Sequence, residues 1–288
     1  MKRLEGKFNS FLYAVCALWL FGFVALPFLA VLAISFLSRG YSDFVEPVFT
    51  IQNYLQIFDF VYLKVFLSST YLALLTSLLC ILVAYPFAYF LARSNERAQA
   101  IGLALVMIPF WTSSLIRSYA LIAILKTNGF LNQLLIKLGL IDSPLSILYT
   151  HWAVMIGMVY TLLPFAILPI FSSVQGLSKN LLEASQDLGA TAFQSFQRVI
   201  LPLTSPGVMG AFLLTFFPAL GLFFIPDLLG GAKTLVLGAA IRDQFLMNRN
   251  WPLGSALSVL LTLGMFLLLA FNSWVKKRVQ APEEEGAF

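Results

Sequence analysis

Six long apolar stretches alternate with short polar segments that carry most of the charged residues. The stretches cover residues 11–37, 64–92, 98–125, 147–173, 207–229 and 251–275. Each is longer than the ~20 residues that a helix needs to cross the roughly 30 Å hydrocarbon core of a bilayer. The pattern predicts an all-α integral membrane protein with six transmembrane helices. We expect residues 11–275 to form one transmembrane domain, with residues 1–10 and 276–288 as polar ends.

The connections between the predicted spans differ in character. Residues 38–63 and 230–250 are polar and are predicted as loops, and residues 93–97 as a charged turn. Residues 126–146 contain leucines at helical spacing, which favours a short helix at the membrane surface. Pro109 interrupts the third predicted span, and such breaks are tolerated in membranes where the backbone lines a cavity.

Residues 175–206 form the longest segment that is neither a predicted span nor an end. Its first part predicts a short helix, which Ser178 can cap and which Gly189 can end in a left-handed conformation. The side chains on one side of this helix are Leu181, Leu182, Ser185 and Leu188.

The second part of this segment predicts another short helix. Thr191 followed three residues later by Gln194 is a capping box, and Pro202 and Pro206 are expected to end the helix. One face of this helix carries Phe193, Phe196 and Ile200. Helices of about ten residues are shorter than the roughly 12–15 at which isolated helices persist in water. The pair should therefore need a surface to dock against.

The composition supports a membrane protein and argues against a nucleic-acid-binding one. Hydrophobic residues make up 60% of the chain, charged residues 11%, and the mean hydropathy is +0.88, whereas about a quarter of residues are charged in soluble domains. The net charge of +5 is spread over the span ends rather than clustered on one helix.

The distribution of basic residues predicts the orientation. Six spans place both ends on one side, together with Lys2, Arg3, Lys7, Arg93, Arg97, Lys179, Arg198, Lys276, Lys277 and Arg278. The other side has Arg39, Lys64, Lys126, Lys137, Lys233, Arg242 and Arg249. Because lysine and arginine accumulate in cytoplasmic loops, both ends and residues 175–206 are expected in the cytoplasm.

Residues that could support catalysis or a cofactor are scarce. Cys16 and Cys80 lie within apolar runs, and His151 is the single histidine, so we expect no disulfide, metal site or catalytic triad. The first apolar run is too long for a removable signal peptide. Residues 230–234 resemble a phosphate-binding loop superficially, but Asp227 stands where that loop needs its first glycine. We therefore expect no ATP site and no cofactor.

Asp227 and Trp111 are the candidates for a site that holds a cationic substrate. A carboxylate at membrane depth costs about 2.5–3.5 kcal/mol and should face protein, water or a cation, and a tryptophan ring holds a cation with about 0.5–2 kcal/mol. Structural roles remain open. Asp227 can cap a helix end or pair with Lys233, and Trp111 can pack or join an interfacial belt. Arg117 can snorkel outward or pair with a carboxylate.

Residues 183–202 resemble the EAA loop in the permease subunits of bacterial ABC importers. The matching residues are Glu183, Ala184, Ser185, Gly189, Val199, Leu201 and Pro202, with Ser185 in place of a second alanine and Val199 in place of the usual isoleucine. The resemblance implies that this loop is cytoplasmic and docks into a groove on an ATPase subunit. The residues implied to couple transport to ATP hydrolysis are Glu183, Ala184, Gly189, Leu201 and Pro202. An amphipathic surface loop between two spans is the simpler alternative.

Three further stretches resemble the branch of this family that serves polyamine importers. They are residues 109–117, residues 227–233 and Trp251 with Pro252. The resemblance implies a bacterial inner-membrane importer of spermidine and putrescine with a second homologous permease, two ATPase subunits and a periplasmic polyamine-binding protein. Related importers of other solutes share parts of these stretches, and the sequence does not rank spermidine against putrescine.

Two other classes of protein remain as alternatives. An intramembrane enzyme would need a nucleophile with a base, or a metal cluster, within the spans. A self-coupled secondary transporter would need a chain of intramembrane acids or broken helices in matching halves. The sequence shows neither pattern.

Overall fold

Helices dominate the computed structural model, which describes residues 12–13, 15–40, 44–231 and 235–280. The helices are α1 (Val15–Ser35), α2 (Gln52–Ile57), α3 (Phe60–Ala92), α4 (Glu96–Met107), α5 (Ser114–Leu125), α6 (Phe130–Lys137), α7 (His151–Gln175), α8 (Lys179–Asp187), α9 (Ala192–Gly221), α10 (Phe224–Gly230), α11 (Leu237–Leu246) and α12 (Trp251–Gln280). Six helical segments of the described chain are long and apolar enough to cross a membrane, which confirms the predicted number of spans. The predicted ends, residues 1–10 and most of residues 276–288, lie outside the described residues.

The third span is broken, as Pro109 predicted. A short 3-10 turn, Ile108–Trp111, separates α4 from α5. The apolar segment in this part of the chain runs from Ser114 to Lys137, so it combines α5 with α6 instead of the predicted residues 98–125. The predicted position of the break at Pro109 is therefore confirmed, whereas the apolar segment begins later in the chain than predicted.

The prediction that Pro202 and Pro206 end a helix was wrong. Helical backbone continues from Ala192 to Gly221, with a wider π-helical turn over Phe196–Ile200 directly before Pro202. Proline is tolerated here because Pro202 lies at the start of the α-helical part, where its missing N–H costs little. The second helix of the loop therefore merges with the fifth span.

The end of the fifth span also differs from the prediction. The helix stops at Gly221, and Leu222 has an extended backbone with ψ 117°. The chain then starts α10, a separate helix of seven residues. The predicted span of residues 207–229 is therefore two helices with a break between them.

Both segments predicted as loops contain regular structure. Strand β1 (Leu37–Ser38) pairs with β2 (Glu46–Phe49) in an antiparallel hairpin, which α2 follows. The second segment contains α11. Periodicity gave no signal for these elements because each is short and mixed in polarity.

The described chain forms two compact units. One consists of described residues up to Leu63 and from Ala240 onward, and the other of Lys64–Ala239. In the second unit α7 packs against α9 and α10, and Met158, Leu162 and Ile170 are fully buried on α7. In the first unit α1 and α2 pack against α12.

Candidate coupling loop and substrate path

The turn between α8 and the start of α9 has the conformation that the sequence predicted. Gly189 has φ +80°, in the left-handed region. Its N–H donates to the Gln186 carbonyl oxygen at 2.8 Å, and the N–H of Ala190 donates to the Ser185 carbonyl oxygen at 3.1 Å. These bonds satisfy carbonyl groups that the end of α8 leaves open.

The capping box at the start of α9 is also confirmed. The N–H of Thr191 donates to Gln194 Oε1 at 2.9 Å, and the N–H of Gln194 donates to Thr191 Oγ1 at 3.3 Å. Ser178 occupies the N-cap position of α8 as predicted, but its side chain makes no capping hydrogen bond. Side-chain hydrogen bonds therefore cap the start of α9 but not the start of α8.

A hydrogen bond between two serines joins α8 to α9. The Ser185 and Ser195 hydroxyl oxygens are 2.8 Å apart, and both residues are buried. Ser185 Oγ donates to the Leu182 carbonyl oxygen at 2.7 Å, which uses its single proton. Ser195 is therefore the donor between the two hydroxyls. Ser185, which stands in place of the second alanine of the EAA pattern, thus makes a specific contact across the turn.

Apolar side chains of α8 and of the first turns of α9 remain uncovered in the isolated chain. Leu188 is 89% exposed and Phe193 is 71% exposed, and Leu181 on α8 is also exposed. Glu183 and Ala184 are exposed on α8, and Leu201 and Pro202 are exposed where the α-helical part of α9 begins. The loop therefore has both charged and apolar groups on its surface in the isolated chain.

The two candidate residues of the substrate path lie in different surroundings. Asp227 is half-buried in the first turn of α10, which packs against α5 and α7. Trp111 ends the 3-10 turn before α5 and its side chain is 83% exposed, so the described chain does not enclose it. Lys233, the alternative partner of Asp227, lies outside the described residues.

Arg117 contacts an aromatic ring, which the sequence did not predict. Its guanidinium carbon lies 5.7 Å from the ring centroid of Phe110, and Phe110 meets Phe165 edge to face at 5.3 Å. The Nε atom of Arg117 is buried without a hydrogen-bond partner among the described residues. The side chain therefore contributes a cation–π contact that holds the turn before α5.

Two contacts fix the backbone where the fifth span breaks. Gly238 lies so close to the Gly221 carbonyl oxygen that any Cβ would collide with this backbone atom. The N–H of Leu237 donates to Ser69 Oγ at 2.6 Å, and Ser69 is buried on α3. Sequence reasoning missed Ser69, because a serine within an apolar run gives no signal of a distant backbone partner.

Comparison with known proteins identifies the family. Residues 81–281 match the family described as "Binding-protein-dependent transport system inner membrane component". The chain is 47% identical over 264 residues to the "Spermidine/putrescine transport system permease protein PotB" of Salmonella typhimurium (strain SL1344), covering 92% of each chain. The PotB protein of Escherichia coli (strain K12) is 48% identical over 251 residues, 87% of this chain and 91% of that protein.

A solved structure shows the same fold. A chain from the crystal structure of a bacterial alginate ABC transporter in complex with an alginate pentasaccharide-bound periplasmic protein superimposes with a TM-score of 0.76, at 16% identity and over 96% of both chains. The match to residues 81–281 covers most of the sequence, and the identity of nearly half extends over more than nine-tenths of it. The chain therefore belongs to the family of inner membrane components of binding-protein-dependent transport systems.

Proposed function

We propose that this chain is the transmembrane permease subunit of an ATP-driven importer of polyamines, in the spermidine and putrescine class. The observation that carries the proposal is the identity of 46–48% to PotB proteins of three bacterial genera, over 87–93% of the chain. The "Inner membrane ABC transporter permease protein YdcU" of Escherichia coli (strain K12) is 30% identical over 79% of the chain. The name of that relative gives no substrate, so the support for polyamines comes from the PotB relatives.

The partners belong to the same proposal. A second homologous permease would complete the pathway, two ATPase subunits would hydrolyse ATP, and a periplasmic polyamine-binding protein would deliver the substrate. This chain would then change conformation during transport, and it would not itself catalyse ATP hydrolysis. Its coupling residues would be Glu183, Ala184, Gly189, Leu201 and Pro202.

The exposed apolar side chains of the loop support an ATPase as the docking partner. Leu188 and Phe193 would each expose a large apolar surface to the cytoplasm if nothing covered them. Docking would bury both side chains, while the bonds around Gly189 and Thr191 keep the two helices at a fixed angle. Closure of the ATPases would then move the loop as a unit.

The importer proposal is tested with the assembled complex in proteoliposomes. Spermidine-loaded and putrescine-loaded binding protein should each stimulate ATP hydrolysis and drive uptake of the labelled polyamine. A complex that stays at its basal rate with both, and accelerates with a binding protein for another solute, would contradict the polyamine assignment.

A further inference from the structure

Tyr85 of α3 contacts α9 on both sides of the π-helical turn Phe196–Ile200. Its hydroxyl oxygen lies 2.8 Å from Thr204 Oγ1, and both residues are buried. Its ring meets the ring of Phe196 edge to face, with the two centroids 5.6 Å apart. All these residues belong to the unit Lys64–Ala239. A single side chain of α3 therefore contacts the first residue of the turn and a residue just beyond its end.

The hydroxyl of Tyr85 is the donor in its bond to Thr204. Thr204 Oγ1 donates its single proton to the Ile200 carbonyl oxygen at 2.8 Å, so it accepts from Tyr85. The two bonds connect α3, through Thr204, to the last residue of the π-helical turn. Within the part of the chain that the structure describes, this is the one side-chain hydrogen bond between α3 and α9.

The backbone around this turn lacks some of the hydrogen bonds that stiffen an α-helix. The N–H of Leu201 donates to the Phe196 carbonyl oxygen in the π-helical pattern, and Pro202 and Pro206 have no N–H to donate. Kinks in helices occur at prolines and at π-helical turns. Residues 196–206 are therefore a place where α9 can bend.

The part of α9 that follows the turn is packed closely against α7. A Cβ at Gly207 would collide with the Ser173 side chain and with the Pro169 carbonyl oxygen, so the close approach requires glycine. This contact fixes α9 just beyond the turn, whereas the chain before the turn leads to α8. A movement of α8 that α9 transmits must therefore pass through the turn that Tyr85 contacts.

We propose that Tyr85 is a positioning residue that holds this turn in one conformation, so that α9 transmits the movement of the candidate coupling loop, residues 175–206. The inference rests on the proposed importer function, under which docked ATPases move that loop. While Tyr85 holds the turn, the loop, α9 and α3 move together. Without the Tyr85 hydroxyl the turn bends and absorbs part of the movement, and ATP is hydrolysed with less transport.

The ratio of polyamine imported to ATP hydrolysed tests this role. It is measured on assembled complex in proteoliposomes with labelled spermidine and the binding protein. Tyr85→Phe removes the hydroxyl and keeps the ring, and should lower the ratio about threefold, the size of effect expected for one neutral hydrogen bond. Tyr71→Phe is the matched control, because Tyr71 is exposed on the same helix and its hydroxyl makes no hydrogen bond within the described residues. Its ratio should equal that of the wild type.

Thr204 supplies a second pair of variants, which decides the question if Tyr85→Phe assembles poorly. Thr204→Val keeps the shape and removes the hydroxyl, so it should lower the ratio as Tyr85→Phe does, whereas Thr204→Ser should retain the wild-type ratio. A purely structural role predicts less assembled complex with an unchanged ratio. An unchanged ratio in Tyr85→Phe and Thr204→Val overturns the proposal, and so does an equal loss in Thr204→Val and Thr204→Ser.

Hydrogen exchange separates this proposal from the importer function. Backbone amides of residues 196–201 should exchange faster in Tyr85→Phe than in Tyr71→Phe, whatever the substrate, because the turn opens more often. Equal exchange in the two variants overturns the role of Tyr85. A wild-type complex that neither imports spermidine nor responds to its loaded binding protein contradicts the importer function, and the exchange measurement still decides whether Tyr85 holds the turn.

Discussion

A pair of hydroxyl groups joins α8 to the start of α9 in the candidate coupling loop, residues 175–206. Ser185 and Ser195 are buried and bonded to each other across the Gly189 turn. A buried hydroxyl that loses its partner costs about 1–3 kcal/mol. The serine at position 185 therefore couples α8 to α9 more tightly than an alanine could.

Ser185→Ala should loosen this joint without preventing membrane insertion. We expect faster hydrogen exchange of backbone amides in residues 179–200 of the assembled complex, and lower ATPase stimulation by loaded binding protein. Ser185→Ala with Ser195→Ala should recover part of the protection, because no unpaired hydroxyl remains.

Ser178→Ala is the matched control for this prediction. Ser178 lies at the start of α8 but makes no capping hydrogen bond, so its loss should leave exchange unchanged. Equal exchange in all three variants would contradict a role for the serine pair.

Asp227 and Trp111 are tested as residues of the substrate path. A polyamine carries several positive charges separated by methylene groups, so its path should combine a carboxylate with aromatic faces. Asp227→Asn removes the charge and keeps the size, and Trp111→Leu removes the ring and keeps apolar bulk. Each should lower polyamine uptake per assembled complex several-fold, while the affinity of the binding protein for polyamine is unchanged.

The structural alternative for Asp227 predicts the opposite outcome. If Asp227 only stabilises the helix end, Asp227→Asn reduces the amount of complex and leaves uptake per complex at the wild-type value. Trp111 is exposed, so Trp111→Leu should not reduce assembly through lost packing within this chain. Normal uptake per complex in both variants would remove these residues from the path.

At the scale of elements, the sequence predicted those features that depend on local chemistry. The left-handed turn at Gly189, the capping box of Thr191 with Gln194 and the break at Pro109 are all present. Each follows from the conformational preference of one or two residues. Such preferences act before any tertiary contact forms.

The features that the sequence missed depend on distant contacts. Beside the break after Gly221, Gly238 packs against the Gly221 carbonyl group, and Ser69 accepts a hydrogen bond from the N–H of Leu237. Helix α9 continues through Pro202 because a π-helical turn accommodates the proline. Neither arrangement produces a periodic pattern in the sequence. Residue propensities alone therefore predicted the wrong ends for these helices.

The left-handed turn at Gly189 predicts how a substitution there affects the candidate coupling loop. A Cβ at Gly189 would meet no atom within 4 Å, so a substitution is opposed by the left-handed backbone and not by crowding. Gly189→Val should therefore destabilise the turn by about 1 kcal/mol or more. We expect normal insertion with loss of complex assembly or of stimulated ATPase activity.

Gly189→Asn is the control for this prediction, because asparagine adopts the left-handed region more readily than other residues with a Cβ. This variant should retain most of the stimulated activity. Full stimulated ATPase activity of the Gly189→Val variant, measured on assembled complex, would show that the turn does not couple transport to ATP hydrolysis.

At the scale of the whole molecule, the number of crossings was predictable because membrane thickness sets the length of an apolar helix. The six helical segments of the described chain agree with that count. The orientation rests on a margin of a few lysines and arginines, which biases insertion without determining it. The candidate coupling loop has its proposed role only with this orientation.

Cysteine labelling in intact cells decides the orientation. In a background with Cys16 and Cys80 replaced, one cysteine is placed at Asn248 and another, separately, at Asn180. Both positions are exposed in the isolated chain, so a difference in labelling by a membrane-impermeant maleimide reports the side of the membrane. Asn248→Cys should react in intact cells, whereas Asn180→Cys should react only after the membrane is permeabilised. The reverse pattern would place residues 175–206 in the periplasm, beyond the reach of any ATPase, and would exclude the coupling role of Gly189.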